Sequence, residues 1–137
     1  LKKLIIKKGK SIFGDKFFYI EKFMKGGKYP PYKASGMAYI SFAREEKELF
    51  KLLFMRDRTN EVITENREEI KPLIELIMQN TGADEERAYI FHLEMWVYVH
   101  GIAAMAATSY LKLDEELTSR ILTDAYKGLE AALKGEI

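Results

Sequence analysis

Between Tyr89 and Leu111 the chain is almost continuously apolar, interrupted only by His92, Glu94, His100, Gly101, Thr108 and Ser109. Asp84 stands ahead of this run as an N-cap, with Glu85 and Glu86 in the first turn, so the spacing predicts one long helix over residues 84–111. A helix that is apolar all round has to be covered on nearly every side. A bilayer would provide that cover, since about 20 apolar residues suffice to cross one. Glu94 and the two histidines argue against it, because ionisable groups are costly in lipid. The segment reads instead as the central helix of a soluble domain, shared between a core and a partner surface, with no membrane partner.

The rest of the chain supplies helices to cover it. Of 137 residues, 47% are hydrophobic and 31% charged, and mean hydropathy is -0.23, which describes one soluble globular domain. A first helix is expected over 15–25, carrying Phe17, Phe18, Ile20, Phe23 and Met24 and ended by Gly26-Gly27. An extended link, Tyr29–Tyr32, places Pro31 at the start of a helix over 32–46, followed by a short apolar one over 47–55. Asn66 and Glu69 form a capping box ahead of the stripe Ile70, Leu73, Ile74, Ile77 and Met78, which has helical period, and Gly82 stops it. Asp114 caps a last helix to Lys134, with Leu117, Ile121, Ala125, Leu129 and Leu133 at steps of four. Only Lys112-Leu113 separates it from the long apolar helix, so the two should be antiparallel neighbours. The fold class is all-α, about six helices within residues 15–137.

Charge divides the chain differently. Residues 1–28 hold nine lysines against Asp15 and Glu21, whereas residues 29–137 carry a net negative charge. Residues 1–14 therefore read as a basic arm of undefined structure, either a contact for nucleic acid or a membrane surface, or a solvated terminus. The chain starts at Leu1 and shows no secretory signal pattern, so a cytoplasmic protein is expected.

Few residues invite catalysis. The absence of cysteine excludes disulfides, thiolate zinc sites and cysteine nucleophiles. His92 and His100 lie two turns, about 12 Å, apart on one helix and cannot chelate one ion together. The partner position of a zinc-binding pair, four residues on, is Trp96. No phosphate-cradling glycine motif and no nucleophile triad can be read, and Glu45-Glu46 and Glu115-Glu116 suit solvated faces. The expectation is no catalytic residue, no metal, no cofactor and no enzyme. Each histidine is then either a satisfied interior group or a pocket residue that orients a ligand.

Aromatics and methionines are spread over helices that should converge. They build either ordinary core or, with Gly36 inside a helix, an adaptable apolar cavity. The candidate ligand-binding set is Tyr39, Phe42, Phe54, Met78, Tyr89, His92, Trp96 and His100, centred near Phe42, Met78, His92 and Trp96. On a helical wheel Val97, Gly101, Ala104 and Thr108 share one face with Glu94, while His92, Trp96, Val99, Ala103 and Ala107 lie toward the other. Small residues admit close approach of a second helix, and Gly128 offers a similar site on the last helix.

Two runs carry a family resemblance. Tyr39-Ile40-Ser41-Phe42-Ala43-Arg44-Glu45-Glu46-Lys47-Glu48-Leu49-Phe50-Lys51-Leu52-Leu53-Phe54 resembles a signature of TetR-family transcriptional regulators, in their C-terminal domain. Trp96 to Ala103 resembles the W-x-x-x-H-G element of one large subgroup. The resemblance implies an effector pocket among these helices for a small apolar or aromatic molecule. It also implies a homodimer whose last two helices form an intermolecular four-helix bundle, adding Ile121 and Ala125 to the interface. Such regulators, repressors among them, read DNA through an N-terminal helix-turn-helix domain that this chain does not contain, so DNA is expected as a partner of the full-length protein alone. Two other functions remain open: a small helical enzyme or apolar-ligand carrier, and a purely structural dimerisation module.

Overall fold

The structure, a computed structural model, describes residues 25–57, 59 and 67–135. The expected basic arm 1–14, nearly all of the helix over 15–25 and the Asn66 cap lie outside them. Among the described residues there are five helices and no strand: α1 (Pro31–Glu45), α2 (Lys47–Phe54), α3 (Arg67–Thr81), α4 (Glu85–Ala107) and α5 (Glu115–Leu133).

Pro31 opens α1 at a position where its missing N–H costs nothing, and the Ala34 N–H donates to the Pro30 carbonyl at 2.8 Å. The helix then buries Ala34, Met37, Ala38, Tyr39, Ile40, Phe42 and Ala43. It makes its most extensive contact with α4 and also touches α2, α3 and α5. At Glu46 the chain bends (φ -118°, ψ 59°) and α2 begins without a linker, driving Phe50 into the core. Complete burial of Phe42, Phe50 and Phe91 contributes about 1.5–3 kcal/mol each.

α3 presents Ile74 and Ile77 to the core and carries Pro72 within it, on the exposed side. It ends as the glycine predicts: Gly82 is left-handed at φ +74° and its N–H donates to the Met78 carbonyl. Two residues on, the Asp84 carboxylate accepts from the Arg87 N–H at 2.8 Å and starts α4. Asp114 starts α5 in the same way, accepting from the Leu117 N–H at 2.7 Å. The Arg87 guanidinium at the start of α4 donates to the Leu133 carbonyl at the end of α5, so the two run antiparallel as expected.

One expected boundary is corrected. α4 stops at Ala107 and does not continue to Leu111. Ser109 turns left-handed (φ 58°), and the Tyr110 N–H reaches back to the Met105 carbonyl at 2.9 Å, closing a Schellman-type cap. The Thr108 hydroxyl donates to the Ala104 carbonyl, a local bond that competes with helix continuation. Tyr110 and Leu111 therefore leave the helix, and the connection spans residues 108–114 rather than two residues. The Arg44 guanidinium holds this connection through the Leu113 carbonyl at 2.9 Å.

The Ser109 backbone gives a direct test. Left-handed geometry costs a residue with a Cβ about 1–2 kcal/mol and glycine almost nothing. The bond from Lys47 Nζ to the Ser109 hydroxyl is solvent-exposed and offsets little of that. Ser109→Gly should raise the midpoint of thermal unfolding by a few degrees, measured by circular dichroism, and Ser109→Val should lower it.

Candidate functional site

Four of the helices enclose a cavity of about 510 Å³, within the range of small-molecule sites. α1 contributes Tyr32, Lys33, Ser35, Gly36 and Tyr39. α4 contributes His92, Met95, Trp96 and Val99. Ile70, Leu73 and Asn80 come from α3, and Leu122, Thr123, Tyr126, Lys127 and Glu130 from α5. Gly36 is where the walls approach: a Cβ there would lie 3.5 Å from Val99 Cγ2 and 3.6 Å from Leu122 Cδ1. Met95, Val99 and Leu122 are buried, while Trp96 keeps 43% of its surface exposed.

Two tyrosine–histidine hydrogen bonds tie α1 to α4 along this cavity. Tyr32 Oη lies 3.0 Å from His92 Nδ1, and Tyr39 Oη lies 2.9 Å from His100 Nδ1. The tyrosines are seven residues apart on one helix and the histidines eight apart on the other, two turns each. Burial, with Tyr126 adding to it, pushes the Tyr32 phenol well above its ordinary pKa and keeps its proton. Burial pushes His100 below its ordinary value of 6.5, favouring a neutral ring whose Nδ1 accepts. Trp96 stacks on His100 at 5.1 Å and 20°.

The structure brings three of the sequence-predicted ligand residues to the cavity wall: Tyr39, His92 and Trp96. His100 sits one layer behind, bonded to Tyr39 and packed against Phe50. Phe54 lies in the same aromatic cluster, 5.3 Å from Tyr39. Phe42 is 1% exposed and belongs to the core, because its position on α1 turns it away from the wall that holds Tyr32, Gly36 and Tyr39. Met78 and Tyr89 are half-buried and pack on the core cluster, away from the cavity. Sequence reasoning missed Tyr32 and the whole α5 wall. Leu122, Tyr126 and Glu130 follow one another at steps of four, the signal that was present, on a different stripe from the one read as apolar.

The expected partner face lies on the other side of α4. Val97 is 59% exposed, and a Cβ added at Gly101 or Gly128 would meet nothing within 4 Å. Thr108 is exposed, and Ala104, Ile121 and Ala125 are half-buried. Ile90, Leu93, Tyr98 and Met105 extend this bare apolar surface. By length and composition α4 is the one helix among the described residues that is able to cross a membrane, yet its other side is the packing partner of α1, α3 and α5. Among the described residues no three histidine or carboxylate side chains converge on a common point.

His100 predicts a pH effect with a definite sign. Its pKa is lower in the folded chain than in the unfolded one, so between that value and 6.5 the unfolded chain binds more protons. Stability should therefore fall as pH is lowered from 7 towards 5. His100→Asn, which keeps an acceptor for Tyr39, should flatten the dependence of melting temperature on pH over that interval.

No curated protein and no solved structure matches the chain. The model of the family described as Tetracyclin repressor-like, C-terminal domain, matches residues 32–126, more than two thirds of the chain, and runs from the first cavity tyrosine on α1 to the last on α5. With its helical fold and its residues 32–126 so matched, the chain belongs to the TetR-like C-terminal domain family.

Proposed function

We propose that this chain is the effector-binding and dimerisation part of a TetR-like transcriptional regulator, acting as a repressor and not as an enzyme. The observation that carries the reading is the cavity, whose mainly apolar wall offers a few polar groups of fixed position: Tyr32, Tyr39 and His92. Such a wall suits a small apolar or aromatic effector, placed by one or two hydrogen bonds. Trp96 and His100, the two aromatic positions of the W-x-x-x-H-G element, stack beside it.

The bare face of α4 around Val97 and Gly101, continued by Gly128 on α5, is proposed to pack on a second copy. Exposed apolar patches of this kind mark association sites. Trp96 and Val97 are adjacent residues on opposite duties, one at the cavity and one at the dimer face. An effector that shifts α4 to make room beside Trp96 therefore shifts the dimer contact. In the mechanism this favours one orientation of the two subunits and, in a full-length protein with its helix-turn-helix domains, releases DNA. The site of action is the cytoplasm.

Two measurements test the parts separately. The chain should scatter light as a dimer at micromolar concentration, and Ala104→Glu or Gly101→Leu should give monomer or aggregate; a monomeric parent chain would remove the dimer from the reading. Trp96 is the only tryptophan, so an effector in the cavity should change its emission and raise the melting temperature by linkage. Phe42→Ala separates core from cavity: it should cost about 3–5 kcal/mol in stability, as core truncations do, without selectively weakening binding.

A further inference from the structure

The cavity is apolar in its depth and cationic at one side. Lys33 on α1 and Lys127 on α5 both border it. Lys33 Nζ donates to the Thr123 hydroxyl at 2.7 Å and lies 5.2 Å from the centre of the Tyr29 ring, neither of which carries a neutralising charge. Among the described residues no carboxylate forms an ion pair with either lysine. The acid on the same side of the cavity, Glu130, is 3.6 Å from Lys134 Nζ. Burial, with the charge of Lys127 adding to it, holds Lys33 below its ordinary pKa, a sign that the two ammonium groups repel each other. An anion between them would relieve this repulsion and form charge-assisted hydrogen bonds.

We propose that the effector is an amphipathic anion, with an acyl or aryl body against Met95, Val99 and Leu122 and an anionic head, such as a carboxylate, between Lys33 and Lys127. The proposal rests on the cavity being the effector site. It adds a polarity to that site: head towards the α1–α5 side, body towards α4. Glu130 then acts as the opposing charge that keeps the head from binding too tightly.

Matched pairs of probes separate head from body. Decanoate is compared with 1-decanol, and 2-naphthoate with 2-naphthol, by titration calorimetry on the full chain at pH 7.5. At least one carboxylate should bind tenfold or more tightly than its alcohol. Lys33→Met/Lys127→Met should erase that preference while alcohol affinity changes less than threefold, and Glu130→Gln should tighten carboxylate binding. Where the double variant also loses the alcohol, Lys127→Glu alone, at an exposed position, should still weaken the carboxylate selectively. Alcohols that bind as tightly as the acids, or a preference that survives the lysine substitutions, overturn the anionic head and leave the cavity as an effector site. Failure of all four probes, with Trp96 emission unchanged, overturns the head and the effector reading together.

Discussion

The packing of α1 along α4 governs the rest of this structure. α4 is apolar on nearly every side, and one side of it is satisfied by the run from Ala34 to Ala43, most of which is buried. Without that contact Phe91, Met95 and Val99 would face water, at a cost of about 1.5–3 kcal/mol for each large side chain. Gly36 lets the two helices and α5 come within van der Waals reach, and the Tyr32–His92 and Tyr39–His100 bonds fix their register. Buried polar pairs of this kind are costly when half-made and specific when complete. Among the described residues no buried side-chain nitrogen or oxygen lacks a hydrogen-bond partner.

The cavity follows from the same geometry. α1 and α4 meet closely at Gly36 and Val99, while α3 and α5 close the sides with Leu73 and Leu122. The aromatic layer behind it, Tyr39, Phe50, Phe54 and His100, is tightly interlocked, with ring centres 5.2–6.2 Å apart. A closely packed aromatic back wall and a half-exposed Trp96 at the front make the site asymmetric. In the proposed mechanism that asymmetry directs the effector's push into α4 and so to Val97 and Gly101, one and five residues further along.

Helical character and the starts of the described helices were legible in the sequence because they are local. The Asp84 and Asp114 carboxylates accept from the N–H three residues on, Gly82 turns through its own φ, and Pro31 stands where a first turn tolerates it. The same local logic missed the end of α4. Composition carries the apolar run through Leu111, but hydrogen bonds from the Thr108 hydroxyl and the Tyr110 N–H back to Ala104 and Met105 win over hydrophobicity. Pocket residues were legible only in part. Tyr39, His92 and Trp96 stood out as polar-tipped aromatics on apolar helices, whereas Phe42 is an aromatic without a polar tip, and its position three residues beyond Tyr39 turns it into the core.

The sequence by itself determined that this chain is helical, where four of the five described helices begin, that α4 is apolar on nearly every side, and which family it resembles. These rest on caps, period and composition, all properties of neighbouring residues. Only the tertiary structure decided that Tyr32 meets His92 across 60 residues, that Lys33 meets Thr123 across 90, and that α5 turns Leu122, Tyr126 and Lys127 to the cavity. Such pairings depend on the angle and register at which helices cross, and many crossings are compatible with one apolar stripe. The choice among them falls to volumes that fit, such as Gly36 under Val99, and no window of local sequence contains both sides of that contact.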